Sequence, residues 1–348
     1  MRITRRFAIG ATAGVALLAM STACMSSTSG TGANTVTIAT TGGEFSSVLR
    51  SAVFDPFQKQ TGVTVKDDSP NNEAKLKAMV TAGSPTWDIF HSSPARSQAY
   101  CGRYFEKIDY SIVDKSKLDP DQVQPCGVPL LNSVFLLVYN KKKYGDHPPA
   151  SWKDFYDTKK FPGKRGIMNY AKDAGMETAL LADGVPGKKL YPLDYDRAFK
   201  KLDTIRSQTS FFETGAQQEQ ALQSGSVDMM LAWPSRAAEA ARNGADIGVV
   251  WNQPLSYSDT LAVVKGSPNK KNAMKLINQI VSAQSQSKLF SQLPYSPVNQ
   301  AADPKPNGTL KNFMLKYHKN DSVVVRDNDW WAQHLDEATE KWTSWVNR

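Results

Sequence analysis

The sequence predicts an α/β fold. Short apolar runs, such as residues 36–39, 87–90 and 227–233, alternate with longer stretches whose apolar residues recur at helical spacing. The chain has 348 residues, 41% hydrophobic and 22% charged, which is enough for two domains, each with its own core.

The elements follow in order. Residues 36–39 form the first strand. Phe45, Val48, Leu49, Ala52 and Val53 then keep helical spacing, with Pro56 expected to kink that helix and Gly62 to end it. Residues 63–65 are a strand and 75–81 a helix that Gly83-Ser84-Pro85 breaks. Strand 87–90 delivers His91-Ser92-Ser93 into a loop, where open α/β sheets bind ligands. Residues 128–139 are strongly β-forming, and the polar break at 140–149 marks a change of lobe. Ser151 caps a helix at Trp152, and helices follow at 176–181, 196–206 and 216–223. Strand 227–233 leads into a helix with Ser235 as N-cap and Gly244 as the residue past its end. Strands 247–251 and 261–264 are separated by a polar turn, and helices span 271–281 and 286–293. The last helix, capped by Asn328 or Asp329, carries the stripe Trp331, Leu335, Ala338, Trp342 and Trp345, which reads as packing.

Residues 1–23 read as an export signal: Arg2, Arg5 and Arg6 precede an apolar run at 8–20, and Ser21-Thr22-Ala23 leads into Cys24. That run is too short to span a membrane, and no later segment approaches the roughly 18 apolar residues required. Thr4-Arg5-Arg6-Phe7 resembles a twin-arginine signal, with the general secretory route equally open. Cys24 resembles the acceptor of a bacterial lipoprotein, although Ser21 stands where Leu is usual; an unmodified thiol is the alternative. Residues 24–34 then form a flexible tether to the membrane.

Three arginines leave with the signal, so the formal charge of +9 falls by three, to +6. Lysines and arginines are dispersed in short pairs such as Lys188-Lys189, without the basic and aromatic clustering of a nucleic-acid binder, so no nucleic-acid partner is expected. Cys101 and Cys126 are expected to pair in an oxidising compartment, two free thiols being the alternative. His91, His147, His318 and His334 show no ligand spacing, so no metal and no cofactor is expected. GxSxG, HExxH, GxxxxGK[ST] and a GxGxxG after a strand are all missing, which argues against an enzyme; a carboxylate pair serving as base leaves an exported enzyme as an alternative.

Arg236 breaks a local rule. It falls in the first turn of a helix, where the dipole is positive and backbone N–H groups lack partners, and such violations are candidates for function.

The stretches FDPFQKQTGVTV, WDIFHSSP, LLVYNKKKYG, SGSVDMMLAW, TLAVVKGSPNKKNAMKLINQIV, LPYSPVN and DNDWWAQHLDEATEKWTSWV follow in order from Phe54 to Val346, within a region from about Val36 to the C-terminus. In them the chain resembles the bacterial extracellular solute-binding proteins of ABC transporters, in the branch usually labelled spermidine/putrescine-binding. The resemblance implies a two-lobe, type II-like periplasmic-binding-protein fold with a hinge and an inter-lobe ligand cleft. Lobe one comprises 35–136 plus 255–300, and lobe two 137–254 plus 301–348. It also implies a small-molecule solute, a permease with its ATPase as partners, a monomer, and a location in the cell envelope.

At the family's cleft position Arg236 is expected to grip a carboxylate bidentately. Asp259, in the turn Tyr257-Ser258-Asp259-Thr260, is expected to hold an ammonium group. Trp233 and Tyr257 are aromatic walls, and Thr41, Gly42, Ser92 and Ser93 candidate donors. Together they describe an ω-amino acid such as γ-aminobutyrate, or a related zwitterion. The alternatives are a polyamine held by Glu44, Asp88, Glu213 or Asp259, Arg236 as a surface residue paired to Glu239, and Asp259 as a turn cap. Ferric-ion-binding relatives use adjacent tyrosines, and no Tyr-Tyr pair occurs.

Overall fold

A computed structural model describes residues 34–318 and 321–348. The export signal, Cys24 and all of the tether up to residue 33 lie outside the described residues. Nine strands form one mixed sheet: β1 Thr35–Ala39, β2 Thr64–Asp68, β3 Ile89–Ser92, β4 Val128–Asn140, β5 Arg165–Met168, β6 Thr209–Phe212, β7 Met229–Ala232, β8 Ile247–Val263 and β9 Ser296–Pro297. Their order is β2-β1-β3-β8-β4-β7-β5-β6, with β9 on the flank of β4.

The two long antiparallel strands organise the sheet. β4 residues 128–135 pair with β8 residues 255–261, and β4 residues 137–140 with β8 residues 247–250. β3 joins the Thr260–Val263 end of β8, while β7 joins the Leu136–Tyr139 part of β4. The parallel strands therefore gather into two halves, β2-β1-β3 and β7-β5-β6, tied together by one ribbon. Two cores are confined to one half each, and a third, larger cluster with Ala39, Phe90, Ile167, Met229 and Trp342 runs across both. Of the two confined cores, Val36, Ile38, Leu49, Phe54, Ile89, Leu276, Ile277 and Phe290 fill one, and Val138, Met230, Ala237, Leu310 and Phe313 fill the other.

The alternation of strand and helix expected from the sequence is present, with four local differences. Strands 247–251 and 261–264 are one 17-residue strand, β8, whose segment at 256–260 stays in register with β4 instead of turning. His91 and Ser92 belong to β3, and Ser93 caps the Pro94–Ala99 helix. The last helix, Asn328–Val346, is capped by Asp327, whose carboxylate accepts the Trp330 N–H at 2.8 Å. Finally, the first helix widens into a π-helical stretch, Arg50–Phe54, just before Pro56. Proline has no N–H, so a carbonyl of the preceding turn loses its usual donor there.

The tryptophan stripe packs as expected, all five residues being buried. Trp345 stacks on Phe199 with centroids 5.6 Å apart, and its indole N–H donates to Asp203 at 2.8 Å. Arg206 donates to the Val346 carbonyl at 2.9 Å, placing a cation on the negative end of the helix.

Cys101 and Cys126 form a disulfide with Cα atoms 5.3 Å apart, closing a loop across 25 positions. Replacing both by alanine is expected to lower the unfolding free energy by about 3 kcal/mol, read as a lower urea midpoint with unchanged solute affinity.

Candidate functional site

A cavity of about 290 Å³ lies beside the β4/β8 ribbon, lined from both halves of the sheet. Two of its walls are built the same way. β3 runs into Ser93-Pro94-Ala95-Arg96 and β7 into Trp233-Pro234-Ser235-Arg236; in each case proline occupies the first helical position and arginine the third. Proline suits that position because its missing N–H is an orphan donor anyway. Pro234 thus starts its helix at once, with Trp233 as cap residue. Ser235 is therefore not the cap: its hydroxyl accepts from Tyr295 Oη at 2.6 Å.

Arg236 is 3% exposed, so it is no surface residue. Its Nη1 lies 3.1 Å from Glu239 Oε2 and 3.7 Å from Glu219 Oε2, and its Nη2 donates to the Gly42 carbonyl at 2.8 Å. The Glu239 pair considered from sequence is thus formed, in buried surroundings. The guanidinium threads between two glycines. A Cβ at Gly43 would fall 2.2 Å from Nη1 and one at Gly215 2.4 Å from Nε, so neither position has room for a side chain. Nε itself is buried without a hydrogen-bond partner. Burial and the neighbouring Glu219 carboxylate push the Glu239 carboxyl upward.

Asp259 projects from β8, not from a turn. Its segment is polar because it faces the cavity, and that polarity is what imitates a turn in the sequence. Asp259 Oδ2 is 2.9 Å from His91 Nε2. Tyr257 packs on Phe135 with centroids 4.5 Å apart, and burial pushes its hydroxyl well up. Tyr295 is within electrostatic reach of both charged candidates: burial raises it to about 12, with Asp259 adding to the shift and Ser235 and Arg236 opposing it.

Of the eight candidate ligand contacts, Thr41, Ser92, Ser93, Trp233, Arg236, Tyr257 and Asp259 line the cavity; Gly42 does not. The Gly42 N–H points to Thr40 Oγ1 at 3.3 Å and its carbonyl serves Arg236, so it is a support for the arginine and not a donor to a ligand. Trp233 is half-buried and its indole N–H donates to Asp173 at 3.2 Å. Among the polyamine counter-charges, Glu213 and Asp259 line the cavity. Asp88 does not, being buried and bonded to Thr37 N–H and Ser267. Glu44 is paired with Arg242.

Sequence reasoning put His91 beside the ligand without naming it as a contact and missed Arg96, Asp173, Tyr295 and Arg326, all of which line the cavity. The signal for Arg96 was available: it repeats the Pro-x-Arg spacing of Arg236 after a strand. Glu73 pairs with Arg96 at 2.8 Å. Burial would raise the Glu73 carboxyl, but the Arg96 charge with hydrogen bonds from Tyr100 and Lys77 overrides this and holds it at about 2. The folded state thus favours the ionised form, so this contribution to stability is complete above the ordinary value of 4.5 and is lost as pH falls from there to about 2. Glu73→Gln is expected to flatten the acid limb of stability in that window, as followed by urea titrations at a series of pH values.

The cavity walls carry four acidic side chains, Glu73, Asp173, Glu213 and Asp259, against four basic ones, Arg96, Lys172, Arg236 and Arg326. Such a balanced lining suits a solute with both charges better than a polycation. Among the described residues no cluster of three or more His, Cys, Asp or Glu is arranged to hold a metal ion.

Residues 52–346 match the family described as "Bacterial extracellular solute-binding protein". The chain is 33% identical over 322 residues to the gamma-aminobutyric acid-binding protein of Pseudomonas aeruginosa, covering 90% of this chain and 91% of that one. It is 22% identical over 296 residues to the spermidine/putrescine-binding periplasmic protein of Escherichia coli, covering 80% and 82%. The solved structure of the Atu4243-GABA receptor superposes with a TM-score of 0.79 at 37% identity, covering 90% of this chain and 98% of that one. With two sheet halves on one ribbon and a charged, aromatic cavity between them, the chain belongs to the bacterial extracellular solute-binding proteins, the two-lobed substrate receptors of ABC importers.

Proposed function

We propose that the chain binds an ω-amino acid such as γ-aminobutyrate, or a related zwitterion, and hands it unchanged to an ABC permease and its ATPase. In this reading residues 35–136 plus 255–300 form one lobe and 137–254 plus 301–348 the other. The solute carboxylate meets the Arg236 guanidinium and its ammonium meets Asp259. Exclusion of water as the lobes close strengthens both contacts.

The observation that carries this reading is the pairing of opposite charges on one cavity: a buried arginine with an unpartnered Nε, and a carboxylate a quarter exposed, with Tyr295 sensing both. An unpaired buried donor costs about 1–3 kcal/mol, and an incoming carboxylate relieves it. A diamine would instead bring a second cation toward Arg236. The relatives named for gamma-aminobutyric acid point the same way.

Calorimetry with γ-aminobutyrate and putrescine tests the reading. Saturable heat with the first and none with the second is expected; the reverse rejects it in favour of a polyamine receptor. Recovery of the bound solute chemically unchanged after long incubation is expected of a receptor, and its conversion would identify an enzyme. The same reading places the protein outside the cytoplasm, held through an acylated Cys24. Mass spectrometry of the membrane-extracted protein should find the acyl groups on that residue, and Cys24→Ala should release the protein into the soluble fraction.

A further inference from the structure

We infer that His91 is a positioning residue for the ammonium subsite: it fixes Asp259 by one hydrogen bond while leaving that carboxylate's charge for the solute. The inference rests on the assignment of Asp259 just proposed. β3 pairs antiparallel with β8 so that His91 lies opposite Leu261, which makes His91 and Asp259 diagonal neighbours on one face of the sheet. The imidazole is 4% exposed, its Nε2 is 2.9 Å from Asp259 Oδ2, and its Nδ1 is buried without a partner.

That lone Nδ1 bears on where the ring's proton sits. An imidazolium would carry an N–H there with no acceptor, a buried orphan donor. The neutral ring protonated at Nε2 leaves only an unused lone pair, and its N–H donates to Asp259. The Phe45 ring, 5.0 Å away between centroids, packs against the imidazole. A lysine or arginine at this position would neutralise Asp259, whereas a neutral imidazole orients the carboxylate and preserves its charge. The other titratable groups near the pair are Tyr257 on β8, Tyr295 before β9, and Arg236. Burial keeps both tyrosines neutral, and Arg236 is already paired with Glu239.

Two measurements test this. In the ligand-free protein, nitrogen NMR of the imidazole is expected to find the neutral Nε2–H tautomer near pH 7. The Nδ1–H tautomer or an imidazolium would overturn the inference whatever the solute proves to be. In calorimetry, His91→Leu is expected to raise the Kd for γ-aminobutyrate about tenfold, the loss of one charge-assisted hydrogen bond. Butyrate, which has the carboxylate and no ammonium, should be unaffected, and His91→Gln should recover most of the loss. Equal losses for both ligands, or no recovery with glutamine, reduce His91 to a space-filling role and overturn the inference. If the native protein ignores γ-aminobutyrate, the zwitterion reading falls, and putrescine titrations of the same variants decide for or against His91 on the same criteria.

Discussion

Replacing Arg236 with alanine is expected to weaken solute binding by about 2–5 kcal/mol, roughly a thirtyfold to several-thousandfold rise in Kd. Two losses add. The solute carboxylate forfeits its cation in a site that closure has cleared of water, and it meets the Glu219 and Glu239 carboxylates with no guanidinium to offset them. Arg236→Lys is expected to recover little, because an ammonium cannot span Gly42, Glu239 and a carboxylate with the planar fork that threads between Gly43 and Gly215. Calorimetry on both variants, with thermal melts to verify folding, reads the effect. An Arg236→Ala protein that binds γ-aminobutyrate as the native one does would refute the role.

The second large effect falls on stability. Arg326 Nε donates to Glu177 Oε1 at 2.8 Å, and Glu177 is fully buried. Its carboxylate also accepts from the Trp331 indole at 3.0 Å and the Tyr191 hydroxyl at 2.9 Å, while the guanidinium lies over the Trp331 and Phe135 rings. Arg326→Leu leaves a buried carboxylate with two neutral donors and no cation, and is expected to cost about 3–5 kcal/mol in urea unfolding. Removing both charges, as Arg326→Leu with Glu177→Leu, is expected to cost less than the single change, since the uncompensated charge is what destabilises. A double variant worse than the single one would mean that hydrogen bonding by Glu177 to Trp331 and Tyr191 outweighs the ion pair.

Much of the fold was legible because the sheet and helices announce themselves by period. The C-terminal stripe, the glycine at the end of the first helix and the pairing of Cys101 with Cys126 all follow from local pattern or from cysteine arithmetic. What failed did so where cavity-facing polarity imitates a loop. Ser258 and Asp259 line the cavity from within β8, and His91 and Ser92 from β3, so hydropathy reads a break where the ladder continues. The oddity of Arg236 was visible, but its partners were not: Gly42 lies 194 positions away and His91 lies 168 from Asp259, distances over which no periodicity carries information. Ser235 was misread because proline at the first helical position displaced the cap by two residues. Arg96 shows that the same signal went unused when it appeared a second time.

A crystal structure of the protein with γ-aminobutyrate tests the central claim most directly. The carboxylate is expected within hydrogen-bonding distance of the Arg236 guanidinium and the amino group on Asp259, with His91 still bonded to the opposite oxygen. A solute whose acid group sits on Arg96, with Arg236 engaged only by Glu239, Glu219 and Gly42, would contradict it.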